Sequence, residues 1–322
     1  MKISIVIASA PDRSTEEVLA SLKQIQPHNI EFEILIIKGN HLSVQRNMGI
    51  EKATGEYIFL FDDDVIIPQG IIEKVLELFK QNPDFHVIGG PNLTPASDTF
   101  LQHCFGYAHA CYFTGLKTAI RYYPANVKKA DENILTGCNL AFRSQILKQN
   151  LFDINLDCND ETELLNRLIQ QNKKLFYSKD FFVYHHRRQK VAAYAKQIFR
   201  WGIGRTAHML KHLSHFNPVF FVPLAFVFYL VSLIFFHPLW YLFPFLLYLI
   251  LDLIFSIQVA ITSKQISSIF VMPWLFLLTH ISYGLGLLWG FIEKVFKKPR
   301  AKYSTKTNAQ NFKLTILSLP KT

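Results

Sequence analysis

The chain has 322 residues, half of them apolar, and a net charge of +10 at pH 7 with His neutral. That length leaves room for one sizeable domain plus an appendage. Cys104, Cys111, Cys138 and Cys158 show no CxxC spacing, which fits a reduced compartment and matches no common zinc pattern, and the basic residues cluster beside the apolar end, arguing for anionic lipid headgroups over nucleic acid.

Strand and helix signals alternate from the start. Residues 3–8 read as a strand, too short an apolar run for a signal peptide, and Pro11-Asp12-Arg13-Ser14 then turns the chain into a helix near 15–24. A second strand at 32–37 ends at Gly39-Asn40. A helix over 43–53 follows, with Ser43 as its expected cap and Gly55 as its stop. The third strand is 57–61 and the next amphipathic helix 71–81. This βαβαβ beginning predicts a parallel sheet whose sites lie at the carboxyl ends of its strands. No G-x-G-x-x-G or G-x-x-x-x-G-K-[ST] follows a strand, which argues against dinucleotide dehydrogenases and P-loop enzymes.

Asp62-Asp63-Asp64 directly follows the third strand. Three adjacent carboxylates at the mouth of a buried strand repel one another and lose hydration, so a hard cation such as Mg²⁺ or Mn²⁺ is expected there. The alternative is a solvated acidic turn. A second acidic group, Asp157, Asp160, Glu161 and Glu163, opens a helix over 161–171. Acids in a first turn are favoured by the helix dipole, but one of them could equally act as a general base. Gln197, Arg200 and Trp201 share one helical face. Arg offers a fork of donors for a diphosphate and Trp a flat face for a sugar, although an interfacial helix above a membrane uses the same residues as anchors.

From about residue 218 the chain becomes Phe- and Leu-rich, in three apolar segments at 218–236, 239–261 and 269–292. Each approaches the ~20 residues needed to cross a bilayer. The expected organisation is a cytosolic domain over 1–206, an interfacial linker over 207–217, a membrane region over 218–293 with two or three spans, and a basic tail over 294–322, loose beyond 301.

The ordered set Gly39-Asn40, Gln45-Arg46-Asn47-Met48-Gly49, Ala53-Thr54-Gly55-Glu56-Tyr57, Asp62-Asp63-Asp64, Thr136-Gly137-Cys138-Asn139, Asn159-Asp160-Glu161-Thr162-Glu163-Leu164 and Gln197-x-x-Arg200-Trp201 resembles glycosyltransferase family 2, above all its membrane-attached bacterial exopolysaccharide branch. The resemblance covers residues 1 to about 206, and Thr279-His280-Ile281-Ser282-Tyr283-Gly284 is similar to that branch as well. It implies an α/β fold of the GT-A type: a Rossmann-like mixed sheet flanked by helices and followed by C-terminal transmembrane helices. It also implies a nucleotide-diphosphate sugar donor, a lipid-linked or saccharide acceptor, Mg²⁺ or Mn²⁺, and membrane lipids as neighbours. Asp62-x-Asp64 would be the DxD motif, with Asp64 on the metal and Asp62 near the metal or ribose. His185 or His186 would complete the metal shell. The donor would meet Ala8, Asn40, Arg46, Asp62, Asp63 and Arg200, and the acceptor Gly137, Asn139, Gln197 and Trp201. Asp160-Glu161 stands where the family carries Glu-Asp, the order reversed, with Glu161 in the second position as base. Lys38-Gly39-Asn40 departs from the Asp-rich nucleotide-binding turn of many members.

The activity so implied is inverting sugar transfer in cell-surface polysaccharide synthesis, at the cytoplasmic membrane with the catalytic domain facing the cytoplasm. A processive synthase and a catalytically silent nucleotide-binding scaffold are the rivals. Three full spans would place Lys294–Lys302 outside, against the positive-inside tendency. Either the segment 269–292, interrupted by Pro273, His280, Ser282 and Gly284, is re-entrant or interfacial, or all three segments cross and the C-terminal charges cross with a short tail.

Overall fold

The computed structural model describes residues 1–25, 30–127, 129–156, 158–211, 217–236, 238–296 and 312–319. Asp157, Lys297, Lys298, Arg300, Lys302 and residues 212–216 of the expected linker lie outside the described residues. The chain divides into two units, the first holding residues 1–95 and 120–186 together with 312–319, the second 96–119 and 187–296.

The first unit opens with β1 (Lys2–Ser9), α1 (Glu16–Lys23), β2 (Glu31–Lys38), α2 (Leu42–Lys52) and β3 (Tyr57–Asp62). The short β4 (Val65–Ile66), α3 (Ile71–Gln81), β5 (Phe85–Gly89) and β6 (Asn92–Leu93) follow. The chain then passes through α4 (Phe100–Ala110) and α5 (Tyr112–Gly115), which belong to the second unit. It returns to the first with β7 (Asn139–Arg143), α6 (Ser144–Gln149), α7 (Asp160–Gln170), β8 (Lys174–Tyr177) and β9 (Val183–His185). The second unit resumes with α8 (Val191–Lys211), α9 (Val222–Ser232), α10 (Phe243–Thr262) and α11 (Met272–Phe296). Last comes β10 (Lys313–Leu319), back in the first unit.

Seven strands form one sheet in the order β10-β2-β1-β3-β7-β5-β8. β1 pairs in parallel with β2 and β3, as the βαβαβ pattern requires, while β7 and β10 run antiparallel to their neighbours, so the sheet is mixed. Side chains alternate across it. Ile3, Ile5, Ile7, Phe59 and Phe61 pack with α1 and α3 on one face. Val6, Leu35, Ile37, Ile58 and Leu60 pack with Ile50 of α2 and Leu164, Leu165 and Leu168 of α7 on the other. Burial on both faces explains why β1 is apolar from Ile3 to Ala8 at every position but Ser4. Glu33 is the exception within β2: burial opposes its charge, yet Ser4, Thr54 and Lys2 bind the carboxylate and hold it down at about 2.

Three sequence expectations change. Ser43 lies inside α2, whose N-cap is His41, and its hydroxyl donates to Leu156 O at 2.9 Å and to Asp160 at 3.1 Å. The tail is not loose throughout: β10 pairs with β2 from Lys313↔Lys38 to Leu319↔Phe32. The third apolar segment is not broken either, for α11 is a continuous helix of 25 residues. Its Pro273 stands in the first turn, where no intrahelical N–H is lost. Leu239–Thr262 and Met272–Phe296 are long and apolar enough to cross a membrane, by length and composition, whereas Pro218–Ser232 is a shorter apolar helix.

Within the second unit, α8 crosses α11 at small residues. A Cβ on Gly286 would lie 2.1 Å from Phe199 O, and one on Gly290 2.8 Å from Thr206 Cβ. Only glycine allows the two backbones to approach this closely. Tyr194 of α8 is fully buried, stacked on Phe105 with centroids 4.4 Å apart, and its hydroxyl lies 2.8 Å from Thr279 Oγ1.

Candidate active site at the carboxyl end of the sheet

The acidic triplet emerges where β3 ends and turns into β4. Pairing of β4 with β9 sets Val65 opposite His185, which carries the imidazole to the triplet. His185 Nε2 lies 2.8 Å from Asp64 Oδ1, and one ligand atom from each of Asp62, Asp64 and His185 falls within a 4.8 Å cluster. Two carboxylate oxygens and one imidazole nitrogen suit Mn²⁺ or Mg²⁺. The second ring nitrogen of His185 is buried without a hydrogen-bond partner, so the described contact that orients the ring is the one to Asp64. Burial pushes the Asp62 carboxyl above its ordinary range; Arg46 relieves this in part and Asp64 worsens it. A cation would supply the missing positive charge.

The other two residues of this neighbourhood are turned elsewhere. Asp63 is buried and accepts from Ser9 Oγ at 2.8 Å and Arg13 Nη1 at 2.8 Å, so it fixes the loop after β1 and is not open to a donor. His186 points to Glu17 of α1, 3.0 Å away, because successive residues of an extended chain face opposite ways. Of the two histidines, His185 is the one brought to the acids. Arg13 Nη1 also lies 3.0 Å from Asp64 Oδ2.

Arg46 forms the floor of the site. Its guanidinium reaches Asp62 Oδ1 at 3.2 Å, Gly137 O at 3.3 Å and Asp160 Oδ2 at 3.1 Å, and stands over the Phe152 ring. These acceptors hold its pKa above the usual Arg value against the cost of burial. The expected donor contact is therefore an internal bridge between the two acidic groups. Gly137 is wedged beside it: a Cβ there would lie 3.0 Å from Arg46 Nη2 and 3.4 Å from Glu161 Cβ.

The acidic pair at the start of α7 is split by its surroundings. Asn159, in the left-handed region at φ 59°, turns the chain into the helix, a conformation Asn tolerates. Asp160 is buried and tied to Arg46 and Ser43. The Glu161 side chain keeps 14% exposure, with Arg121 Nη1 3.7 Å away. Burial and then the neighbouring Asp160 push the Glu161 carboxyl up, against the pull of Arg121 and Arg46. Glu163 is spent on Arg167, 3.2 Å away.

Asn139 is wholly buried and donates to Phe181 O at 2.8 Å, so it staples β7 to the loop before β9 and offers no surface to an acceptor. Ala8 sits beside Asp62 in the β1–β3 register. Asn40 is exposed just past β2. Gln197, Arg200 and Trp201 lie on α8 in the second unit, with Arg200 exposed and Trp201 half-buried, its ring 5.0 Å from that of His109. Arg13, Ser43 and Arg121 were not foreseen as site residues. Arg13 sits in the turn signal Pro11-Asp12-Arg13-Ser14, while Arg121 belongs to no motif and holds the Glu132 and Asn133 carbonyls at 2.8 Å each.

Residues 1–204 match the model of the glycosyltransferase-like family 2. Over 198 residues the chain is 27% identical to the minor teichoic acid biosynthesis protein GgaB of Bacillus subtilis (strain 168), covering 61% of this chain and 20% of that protein. The chain thus spans about a fifth of the length of that curated relative. Among solved structures, the mannosyltransferase PcManGT of Pyrobaculum calidifontis, in complex with GDP-Man and Mn²⁺, is similar with a TM-score of 0.55 at 12% identity, covering 92% of this chain and 87% of that one. That likeness is one of fold, of the GT-A type. With a family model matching well over half its length, the chain belongs to the glycosyltransferase-like family 2.

Proposed function

We propose that this protein is a metal-dependent inverting glycosyltransferase, which moves a sugar from a nucleotide-diphosphate donor to a saccharide or lipid-linked acceptor during cell-surface glycopolymer synthesis. The observation that carries the reading is the joint placement of two acidic groups: Asp62, Asp64 and His185 gather at the end of β3, and Arg46 bridges Asp62 to Asp160, next to Glu161. The GDP-Man and Mn²⁺ of the structural neighbour, and the teichoic acid pathway of the curated relative, support a nucleotide sugar and a glycopolymer.

Asp62, Asp64 and His185 would hold Mg²⁺ or Mn²⁺, which supplies a Lewis acid for the charge that develops on the departing diphosphate. Glu161, largely buried yet still reached by solvent and raised in pKa, accepts the proton of the acceptor hydroxyl as that oxygen bonds to the anomeric carbon. The bond from that carbon to the diphosphate breaks on the opposite face, and the configuration inverts. Asp160 keeps the base loop in place through Arg46 and Ser43 and stays out of the proton transfer. The two long apolar helices would attach the enzyme to the cytoplasmic membrane, with the catalytic unit on the cytosolic side where nucleotide sugars are made.

Donor turnover in membranes carrying Asp64→Asn or Glu161→Gln tests the assignment, with nucleoside diphosphate release read in the presence of lipid-linked acceptors. Removal of the base should lower kcat about 10²–10⁴-fold. Undiminished transfer in both variants would sink it.

A further inference from the structure

We propose that the C-terminal strand is a working part of the donor site, with Phe312 as a positioning residue that holds the turn at Gly39–His41 against the nucleoside. The proposal rests on the glycosyltransferase reading and adds a segment that no motif marks.

The register places it. β10 begins with Lys313 opposite Lys38, the last residue of β2, so Phe312 falls beside Gly39 at the carboxyl edge of the parallel strands. Ligands of open α/β sheets bind in the crevice outside that edge. A Cβ on Gly39 would lie 2.2 Å from Phe312 Cδ1 and 2.4 Å from Cε1, so the ring fills the space that a side chain at position 39 would need. The turn is pinned from its other side. Gly39 N–H donates to Ser9 O at 3.0 Å. Gln45 Nε2 donates to Ser9 O and Ile37 O, both at 2.7 Å, and Gln45 Oε1 accepts from His41 N at 3.1 Å. Asn40, at the crest of the turn, is left exposed.

How the strand is anchored singles out this end of it. Phe312 and Leu314 pack into the cluster of Val6, Leu35 and Ile37, whereas Ile316 is 56% exposed. A strand that merely capped the sheet edge would bury its apolar residues along its length. Here the half-buried ones, Phe312 and Leu314, stand next to the ligand edge. With the ring removed, the backbone at Gly39 gains freedom and Asn40 is no longer presented in one place; binding then carries the cost of ordering the turn.

The test uses the full chain in detergent. Binding of UDP and of GDP, each with Mn²⁺, is compared with binding of inorganic pyrophosphate with Mn²⁺ and of Mn²⁺ alone. Phe312→Ala and Gly39→Ala should weaken the preferred nucleoside diphosphate at least about tenfold, leaving pyrophosphate and Mn²⁺ unchanged. In turnover, KM for the donor should rise with kcat held. Phe312→Leu should restore most of the affinity, and Ile316→Ala should change nothing. Wild-type nucleoside affinity in Phe312→Leu, Phe312→Ala and Gly39→Ala alike, or an equal loss for pyrophosphate, overturns the proposal. Failure of the wild-type protein to bind either nucleoside diphosphate would instead strike at the glycosyltransferase reading.

Discussion

Replacing Arg46 by Met would test whether one guanidinium joins the metal-side acid to the base loop. In the wild-type protein it lies 3.2 Å from Asp62 and 3.1 Å from Asp160. The two partners differ in exposure, 31% for the Asp62 side chain and 2% for that of Asp160. Water would compensate most of the loss at Asp62, so the cost falls on Asp160. Breaking a buried pair by removing one member costs about 3–5 kcal/mol. For a domain of this size a kcal/mol moves Tm by about 2–4 °C, so a fall on the order of 10 °C is expected in thermal unfolding followed by circular dichroism at fixed scan rate. Asp160→Asn in the Arg46→Met background should recover most of the stability by removing the orphaned charge, while sugar transfer stays low because Asp62 has lost its counter-charge. An Arg46→Met protein whose Tm lies within a degree or two of wild type would refute the bridge.

The remaining expectations concern pH and topology. Glu161, pushed up to about 7 by burial and then by Asp160, must be ionised to accept a proton, so kcat/KM should fall as pH drops through that region. A profile flat down to pH ~5 would remove Glu161 from the role. β10 follows both long apolar helices and pairs with β2, and no strand pairs across a bilayer, so any crossings between β9 and β10 must be even in number. A cysteine at Ser318 should resist an impermeant thiol reagent in intact cells and label once the membrane is opened. Ready labelling in intact cells would mean an odd number of spans.

An even number of crossings would also remove a conflict present in the sequence. Three apolar segments of similar length suggested either three spans or an interrupted third, because hydropathy counts residues and does not see where a helix starts. In the structure the shorter helix belongs to the first segment, and the suspected interruptions in the third have local explanations. Pro273 sits in the first turn of α11. Gly284 is required by contact with Pro223, whose carbonyl oxygen would lie 2.5 Å from a Cβ at that position. His280 is bonded to Tyr248 and to Phe113 O.

The sequence by itself determined the alternation of strands and helices in the first 81 residues, because buried parallel strands and amphipathic helices impose their own periods on the chain. It also marked the acidic triplet, since a run of charge at the end of an apolar strand is a local feature. Tertiary structure decided which neighbours each acid has. Asp62 and Asp64 join His185 only because β4 pairs with β9 across 120 residues, and Asp160 differs from Glu161 because Arg46 and Ser43 of α2 hydrogen-bond the first and not the second. Asp63, Asn139 and Arg46, expected as ligand contacts, each make hydrogen bonds within the scaffold that no motif foretold. The strand at Lys313–Leu319 lay in what reads as a charged tail: the alternation of Phe312, Leu314 and Ile316 with Lys313 and Thr315 was there, but it is short and does not say which strand it pairs with. Local patterns report which face of an element is dry; which residues from distant elements meet on that face is set by sheet register and helix packing, and these exist only in the folded chain.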